Sequence, residues 1–278
     1  MTKRNLKYLL KSKLSKKELE FVPSSFDVVG DILIFSDFPK ELRKKEKTIG
    51  QTILEHYHHI KTILKKTKKY SGKFRTPRLK VIAGEKRKET ICRENNVLIK
   101  LDVEKVYFSP RMSSERKRIA ELIKPNESVL VMFSGSGVYP LVISKNAKCK
   151  EVYGIEVNPI AHKYALENVK KNKLENTIRL FLGDVRKIMP GLNKKFDRIL
   201  MPLPKGGEDF LNLSLKYIKK NGIIHFYDFL HEDEFYKAEE KIKNACKKSK
   251  KKFKILKIVK CGQYSPRFYR LCVDFLAD

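Results

Sequence analysis

Tyr107-Phe108-Ser109-Pro110-Arg111-Met112-Ser113-Ser114-Glu115-Arg116-Lys117-Arg118 sets one carboxylate, Glu115, among four cations, shortly before an apolar strand that runs into a glycine-rich turn. A carboxylate so placed points to a base beside a ligand site. The strand is Ser128-Val129-Leu130-Val131-Met132-Phe133, the turn is Ser134-Gly135-Ser136-Gly137, and a helix with Pro140 near its first turn follows. Glycines in the turn let backbone amides approach a ligand, because no side chain intervenes. The next strand ends in Gly154-Ile155-Glu156-Val157-Asn158-Pro159, with Glu156 19 residues after Gly137, where its carboxylate can accept both hydroxyls of a ribose. A third strand ends in Gly183-Asp184-Val185, where an acid can accept from an adenine amino group. Acids at successive strand ends read as a pocket for an adenosyl or dinucleotide ligand; the bland alternative is solvated loops.

A fourth strand ends in Met201-Pro202-Leu203-Pro204-Lys205, on the edge of an open α/β sheet where ligands bind. Two prolines fix the local backbone and leave carbonyls free to face a substrate, or simply stop the strand. For Glu115 the plain alternative is an ion pair with Arg111 or Arg118 along a helix.

These residues need a scaffold, and the pattern supplies one. From Asn126 onward, strands at 128–133, 151–156, 177–182, 196–201, 222–228, 253–260 and 268–276 are separated mostly by helical stretches, the signature of a doubly wound parallel sheet. The last two strands, joined by Gly262-Gln263-Tyr264-Ser265-Pro266, make an antiparallel hairpin. Such an α/β fold is similar to the class I (Rossmann-like) methyltransferase sheet with its antiparallel C-terminal hairpin. A nicotinamide enzyme shares the glycine turn and the first acid, but has no use for the hairpin.

Ahead of the sheet, residues 1–25 read as a basic N-terminal helix with Leu6, Leu9, Leu10 and Leu14 on one face, able to dock on the body of the protein or on RNA. Residues 26–110 read as a small α+β module that contacts RNA. It opens with two short strands, Phe26 to Phe35, around Gly30-Asp31. A helix is expected from after Pro39 through about Ile63, and then short strands over 74–108 with a turn at Glu94-Asn95-Asn96. Residues 111–278 form the third part, the sheet domain.

The 278 residues carry a formal charge of +30, which concentrates polyanions at the surface and makes nucleic acid the leading partner. Residues 1–126 hold 32 Lys plus Arg against 15 Asp plus Glu, and the runs 61–80 and 241–260 contain nine and ten basic residues with no acid. The five cysteines show no close pair of metal-ligand spacing, which argues against both zinc and disulfides. No apolar run approaches a bilayer-spanning length and no signal segment opens the chain, so a soluble, cytoplasmic protein is expected.

From about Phe26 to the C-terminus the chain resembles the archaeal and eukaryotic tRNA (guanine-37-N1)-methyltransferase family. The resemblance rests on Phe74-Arg75, on Tyr107-Phe108-Ser109-Pro110-Arg111 followed by Glu115-Arg116, on Met132 to Gly137, on Ile155 to Pro159, and on Leu203-Pro204-Lys205. It implies Glu115 as general base and Arg75 as the cation at the guanine oxygen. S-adenosylmethionine is the implied cofactor, contacted by Arg116, Phe133, Ser134, Gly135, Gly137, Glu156, Val157, Asp184 and Val185. Tyr107, Arg111, Pro202, Leu203, Pro204 and Lys205 would line the substrate, no metal takes part, and the protein would be a monomer acting on the tRNA anticodon loop at position 37. The chemistry agrees: removing the N1 proton develops charge on O6, which a carboxylate base and a guanidinium answer.

Two departures from the family stand out. Pro202 replaces the usual Asn of Asn-Leu-Pro, a version that looks like the archaeal branch that also methylates C7 of 4-demethylwyosine at position 37 in the wyosine pathway. The extra N-terminal domain by which many members grip the tRNA elbow has only about 25 residues in its place. The alternatives are a wyosine-pathway aminocarboxypropyltransferase, which generally lacks the arginine after Ser-Pro and the Leu-Pro-Lys segment, and a non-catalytic tRNA-binding protein.

Overall fold

The computed structural model describes residues 3–23, 25–72 and 74–278. Two compact units emerge, Met1–Arg93 with Leu98–Pro110, and Glu94–Val97 with Arg111–Asp278.

In the first unit the expected N-terminal helix is two helices, α1 (Lys3–Leu9) and α2 (Lys16–Glu20), and residues 1, 2 and 24 of that expectation lie outside the described residues. The break has a local cause. Ser15 caps α2, its Oγ accepting from the Glu18 amide at 3.2 Å while the Glu18 carboxylate accepts from the Ser15 amide at 2.8 Å, a reciprocal box that starts a new helix. Leu6, Leu10 and Leu14 join Val22, Leu33, Phe35, Ile49 and Ile53 in the core of this unit. Each buried leucine is worth about 2 kcal/mol, so the apolar face docks on the unit's own body.

Strands β1 (Phe26–Val29) and β2 (Ile32–Phe35) pair antiparallel, as the turn between them predicts. The long helix expected after Pro39 is shorter: a 3-10 segment over Lys40–Lys45 leads into α3 (Glu46–His56). Thr62, Ile63 and Leu64 instead start β3 (Thr62–Ser71), parallel to β2, where all three are buried. Two β-branched residues and a leucine gain more from a pleated, covered position than from helix propensity. β4 (Thr76–Gly84) pairs antiparallel with β3 and completes a four-stranded sheet, so the basic run at 61–80, apart from Lys73 outside the described residues, lies mostly on a hairpin. β5 (Glu89–Glu94) and β6 (Val97–Asp102) pair through Asn95 and Asn96, both left-handed at φ 43° and 67°.

The second unit follows in the order α4 (Ser113–Leu122), β7 (Ser128–Val131), α5 (Val138–Asn146), β8 (Glu151–Glu156), α6 (Pro159–Lys171), β9 (Ile178–Leu182), α7 (Val185–Gly191), β10 (Phe196–Met201), α8 (Leu211–Tyr217), β11 (Ile218–His231), α9 (Tyr236–Lys248), β12 (Phe253–Ser265) and β13 (Phe268–Ala277). Its seven strands lie in the order β12-β13-β11-β10-β7-β8-β9, parallel from β9 to β11, with β13 antiparallel to both β11 and β12. This is the class I methyltransferase sheet with its C-terminal hairpin. Both last strands run further than expected, so the connection narrows to Pro266 and Arg267, the latter at φ 61°.

Alternation along β11 assigns its faces. Ile224, Phe226 and Leu230 join Ile242 and Ala238 of α9 in the main core, while His225 and Tyr227 face the side that carries Glu115 and Arg118 of α4 and Tyr139 of α5. No described helix is long and apolar enough to cross a membrane.

Candidate active site

Glu115, in the first turn of α4, is 4% exposed. Its Oε1 accepts from the Tyr227 hydroxyl at 2.7 Å and from Arg118 Nη2 at 2.8 Å, and its Oε2 accepts from Arg118 Nε at 2.7 Å. The ion pair with Arg118, the plain alternative for Glu115, is therefore present, and it is a two-pronged one. A carboxylate offers about four acceptor positions; three are filled by these bonds, and the remaining one is on Oε2.

The holders of Glu115 are themselves held. Tyr227 and Tyr139 hydroxyls share a 3.0 Å bond, and burial raises both phenols above their ordinary titration range, so both stay protonated as donors. Arg118 Nη1 donates to Asp274 Oδ2 at 2.6 Å. Burial would raise the Asp274 carboxyl, but the hydrogen bond from His225 and the Arg118 guanidinium hold it well below its usual range. His225 Nδ1 lies 2.5 Å from Asp274 Oδ1 and its Nε2 lies 2.8 Å from Arg198 Nη1. A guanidinium can only donate, so Nε2 is the acceptor and the ring proton sits on Nδ1, pointing at Asp274. Burial lowers the His225 pKa and keeps the ring neutral, against the opposing pull of Asp274. Arg198 closes the chain on Glu127 at 2.8 and 3.0 Å and on the Leu122 carbonyl at 2.8 Å.

Ligand atoms of His225, Cys272 and Asp274 lie within 4.8 Å of one another. A cation there would compete with two guanidinium groups, Arg198 on the imidazole and Arg118 on the carboxylate, so the cluster reads as a hydrogen-bonded link. Sequence reasoning missed all of it except Arg118, because strand neighbours such as His225 and Asp274 are 49 residues apart and paired only by register.

The glycine turn hangs over β8. Phe133 and Ser134 amides donate to the Ile155 carbonyl at 3.0 and 2.9 Å, which holds Phe133 at φ 76°, a costly position for a residue with a side chain. Gly137 at φ 82° caps α5, and a Cβ there would stand 3.2 Å from the Ala165 Cβ. Glu156, at the end of β8, accepts from the Gly135 amide at 2.7 Å and from the Asn158 amide at 2.8 Å, one bond per oxygen. Burial raises its pKa, against those same amides and that of Val157. Anchored by these amides at the end of β8, the carboxylate keeps acceptor capacity for the hydroxyls of a ribose. The donor and acceptor set thus fits an adenosyl nucleoside.

Asp184 caps α7, accepting from the Arg186 amide at 2.9 Å, and also binds the Arg186 guanidinium at 3.0 and 2.6 Å. That arginine, unmarked by any motif, reaches over the Phe210 ring at 5.4 Å, and Phe210 meets Phe133 edge-on at 5.0 Å. Val185, just beyond, is buried in the core. Arg116 is 5% exposed and donates to both oxygens of Glu94, at 2.5 and 2.6 Å. The turn foreseen at Glu94-Asn95-Asn96 is thereby an anchor: Asn95 Nδ2 donates to the Ser113 carbonyl at 2.9 Å and Asn96 Nδ2 to Asn146 Oδ1 at 2.9 Å.

Beyond β10, the Leu203 amide donates to the Met201 carbonyl at 2.7 Å, a tight turn about Pro202. A Cβ on Gly207 would stand 2.3 Å from the Leu203 carbonyl oxygen, so the turn needs glycine there. Lys205 and Arg111 are exposed. Arg75 and Tyr107 belong to the first unit. Partial burial lowers the Arg75 pKa and nearby Tyr107 opposes that, so the two candidates sit within electrostatic reach of each other.

The chain is similar to known proteins along most of its length. The TRM5/TYW2 methyltransferase domain matches residues 90–256 and the TYW2 N-terminal domain matches residues 6–87. The tRNA (guanine(37)-N(1))-methyltransferase Trm5b of Pyrococcus abyssi is 40% identical over 256 residues, 92% of this chain and 75% of that protein. The tRNA (guanine(37)-N(1))/4-demethylwyosine(37)-methyltransferase Taw22 of Nanoarchaeum equitans is 34% identical, over 90% of this chain and 98% of its own. Among solved structures, aTrm5 in complex with tRNALeu superimposes with a TM-score of 0.86 at 33% identity, covering 99% of this chain and 79% of that one. The Methanocaldococcus jannaschii TYW2 in complex with AdoMet superimposes with a TM-score of 0.71 at 28% identity, covering 91% and 99%. On sequence and fold together, this chain belongs to the TRM5/TYW2 methyltransferase family.

Proposed function

We propose that this protein methylates N1 of guanosine at position 37 of tRNA, with C7 of 4-demethylwyosine at the same position as a second acceptor. The observation that carries the reading is Glu115: a buried carboxylate fixed by Tyr227 and Arg118, with one acceptor position left on Oε2, in the same unit as the glycine turn and Glu156. S-adenosylmethionine, when bound, supplies a methyl group on a cationic sulfur. Glu156 and the Gly135 region would hold its ribose, and Asp184 would accept from its adenine amino group.

Glu115 Oε2 takes the proton from guanine N1, leaving the nitrogen pair free to attack. Charge passes to O6 as the proton leaves, and Arg75 answers it; a guanidinium whose water is partly stripped interacts more strongly with such an anion. Pro202 offers no side-chain hydrogen bond, so the base is held by backbone carbonyls and shape, which a tricyclic base satisfies as well as a purine. Arg111 after Ser109-Pro110 and the Leu203-Pro204-Lys205 segment favour methyl transfer over aminocarboxypropyl transfer.

The deciding experiment uses labelled cofactor and tRNA transcripts that differ only at position 37, followed by mapping of the modified nucleoside. Methylated guanosine at position 37 is expected. An aminocarboxypropyl product, or no product, would overturn the assignment.

A further inference from the structure

On the sheet face that carries Tyr227, aromatic residues continue past the base. Two residues further along β11, Phe229 meets Tyr264 at 4.7 Å between ring centres, and the Arg270 guanidinium lies 5.0 Å over the Phe229 ring. Two residues beyond that, His231 meets Phe268 edge-on at 5.1 Å. Register confirms one continuous row, with Tyr227 opposite Cys272, Phe229 opposite Arg270 and His231 opposite Phe268. Exposure changes abruptly along it: Tyr227 is 1% exposed, Tyr264 71% and Phe268 40%.

The row overhangs the ligand edge of the sheet. Met201, the last residue of β10, pairs with Phe226, yet β11 runs on to His231, roughly 16 Å at the rise of a strand. The β12–β13 pairing slips between Lys260 and Gly262 and again between Gln263 and Ser265, and bulges of this kind re-aim a side chain. A hairpin needs no such exposed tyrosine for its own stability, since a ring left mostly in water gains little from burial. Exposed Lys254 and Lys257 lie on the same edge strand, so the partner that fits combines flat rings with negative charge.

We propose that Phe229, Tyr264, Phe268 and Arg270 form a stacking shelf for an unpaired nucleobase adjacent to the one that receives the methyl group. Successive same-face residues of a strand are about 7 Å apart, the scale of one nucleotide step in an extended strand, and Phe229 is one such step from the tyrosine that holds Glu115. Aromatic faces accept any base, so the shelf orients the loop without reading its sequence. The inference rests on the tRNA reading given above and adds a surface to it.

The test compares the full-length parent, Tyr264→Ala, Tyr264→Phe and Phe268→Ala on a tRNA transcript with guanosine at position 37. Loss of one stacked base costs about tenfold in affinity or more. Tyr264→Ala should therefore raise the dissociation constant about tenfold, and Tyr264→Phe should stay within about twofold. The methylation rate at saturating tRNA should hold within about threefold for both, and the salt dependence should not change. With 2-aminopurine at position 36 or 38, binding should quench fluorescence in the parent and leave Tyr264→Ala unquenched. Parent-like affinity in both alanine variants overturns the shelf, as does a change confined to self-association, which would make the patch a contact between copies. A parent that binds no tRNA would instead overturn the proposed function.

Discussion

At Glu115, position matters more than mere presence. A carboxylate on an exposed turn would be one of many, whereas here a tyrosine and an arginine fix both oxygens and leave Oε2 one open position. Glu115→Gln keeps the shape but cannot take a proton, and Arg75→Ala removes the cation proposed for O6. Each should lower single-turnover methylation of guanosine by about two orders of magnitude or more, while calorimetry finds S-adenosylmethionine affinity unchanged. Rates within about twofold of the parent would return both residues to structural ion pairs. Pro202 belongs to the same scale. Pro202→Asn supplies a side-chain hydrogen bond and should shift the ratio of rates toward guanosine and away from 4-demethylwyosine; parallel assays on the two tRNA forms measure it. An unchanged ratio, or a parent inactive at C7, removes Pro202 from substrate choice.

Elements decide what the sequence made legible. The strands of the second unit announce themselves because a parallel sheet covered on both faces needs continuous apolar runs, and the acids that end them, Glu156 and Asp184, sit where the period ends. Register was out of reach: nothing local says that His225 faces Asp274 or that Arg198 donates to the far side of its ring. Arg186, and the pairing of Glu94 with Arg116 beyond its part in a turn, were missed for a similar reason, since each serves a marked residue from outside that residue's motif. The helix wrongly extended to Ile63 shows the opposite failure, in which β2 offers Thr62, Ile63 and Leu64 a buried edge that a local pattern cannot foresee. The buried link has a measurable consequence at this scale. His225 has a folded pKa depressed by burial, so below the unfolded value of about 6.5 the unfolded chain binds a proton that the folded one refuses. Stability contributed by the neutral ring is complete above that value and is lost as pH falls below it. His225→Asn should flatten thermal stability between about pH 7 and pH 5 relative to the parent; identical slopes in the two proteins would show that His225 does not titrate on unfolding.

Over the whole molecule the dominant quantity is the charge of +30, and the fold distributes it in a way that bears on RNA. Many of the described lysines of the 241–260 run lie on α9 and on β12, one of the two edge strands of the seven-stranded sheet, while much of the 61–80 run lies on the hairpin of β3 and β4. Lysines on an edge strand also block edge-to-edge pairing between copies, so their number alone does not prove a nucleic-acid surface. Salt separates the two roles. Each phosphate neutralised releases counterions, and affinity then falls steeply as salt rises, whereas a lysine that only guards an edge leaves the slope alone. We expect tRNA affinity to drop by at least about tenfold between 50 and 200 mM salt, as several phosphate contacts require. Replacing Lys254, Lys257 and Lys260 together by Gln should reduce the slope of log affinity against log salt by about 2 to 3, with the cofactor affinity untouched. A slope equal to the parent's would assign those lysines to edge protection and leave RNA binding to the other basic surfaces.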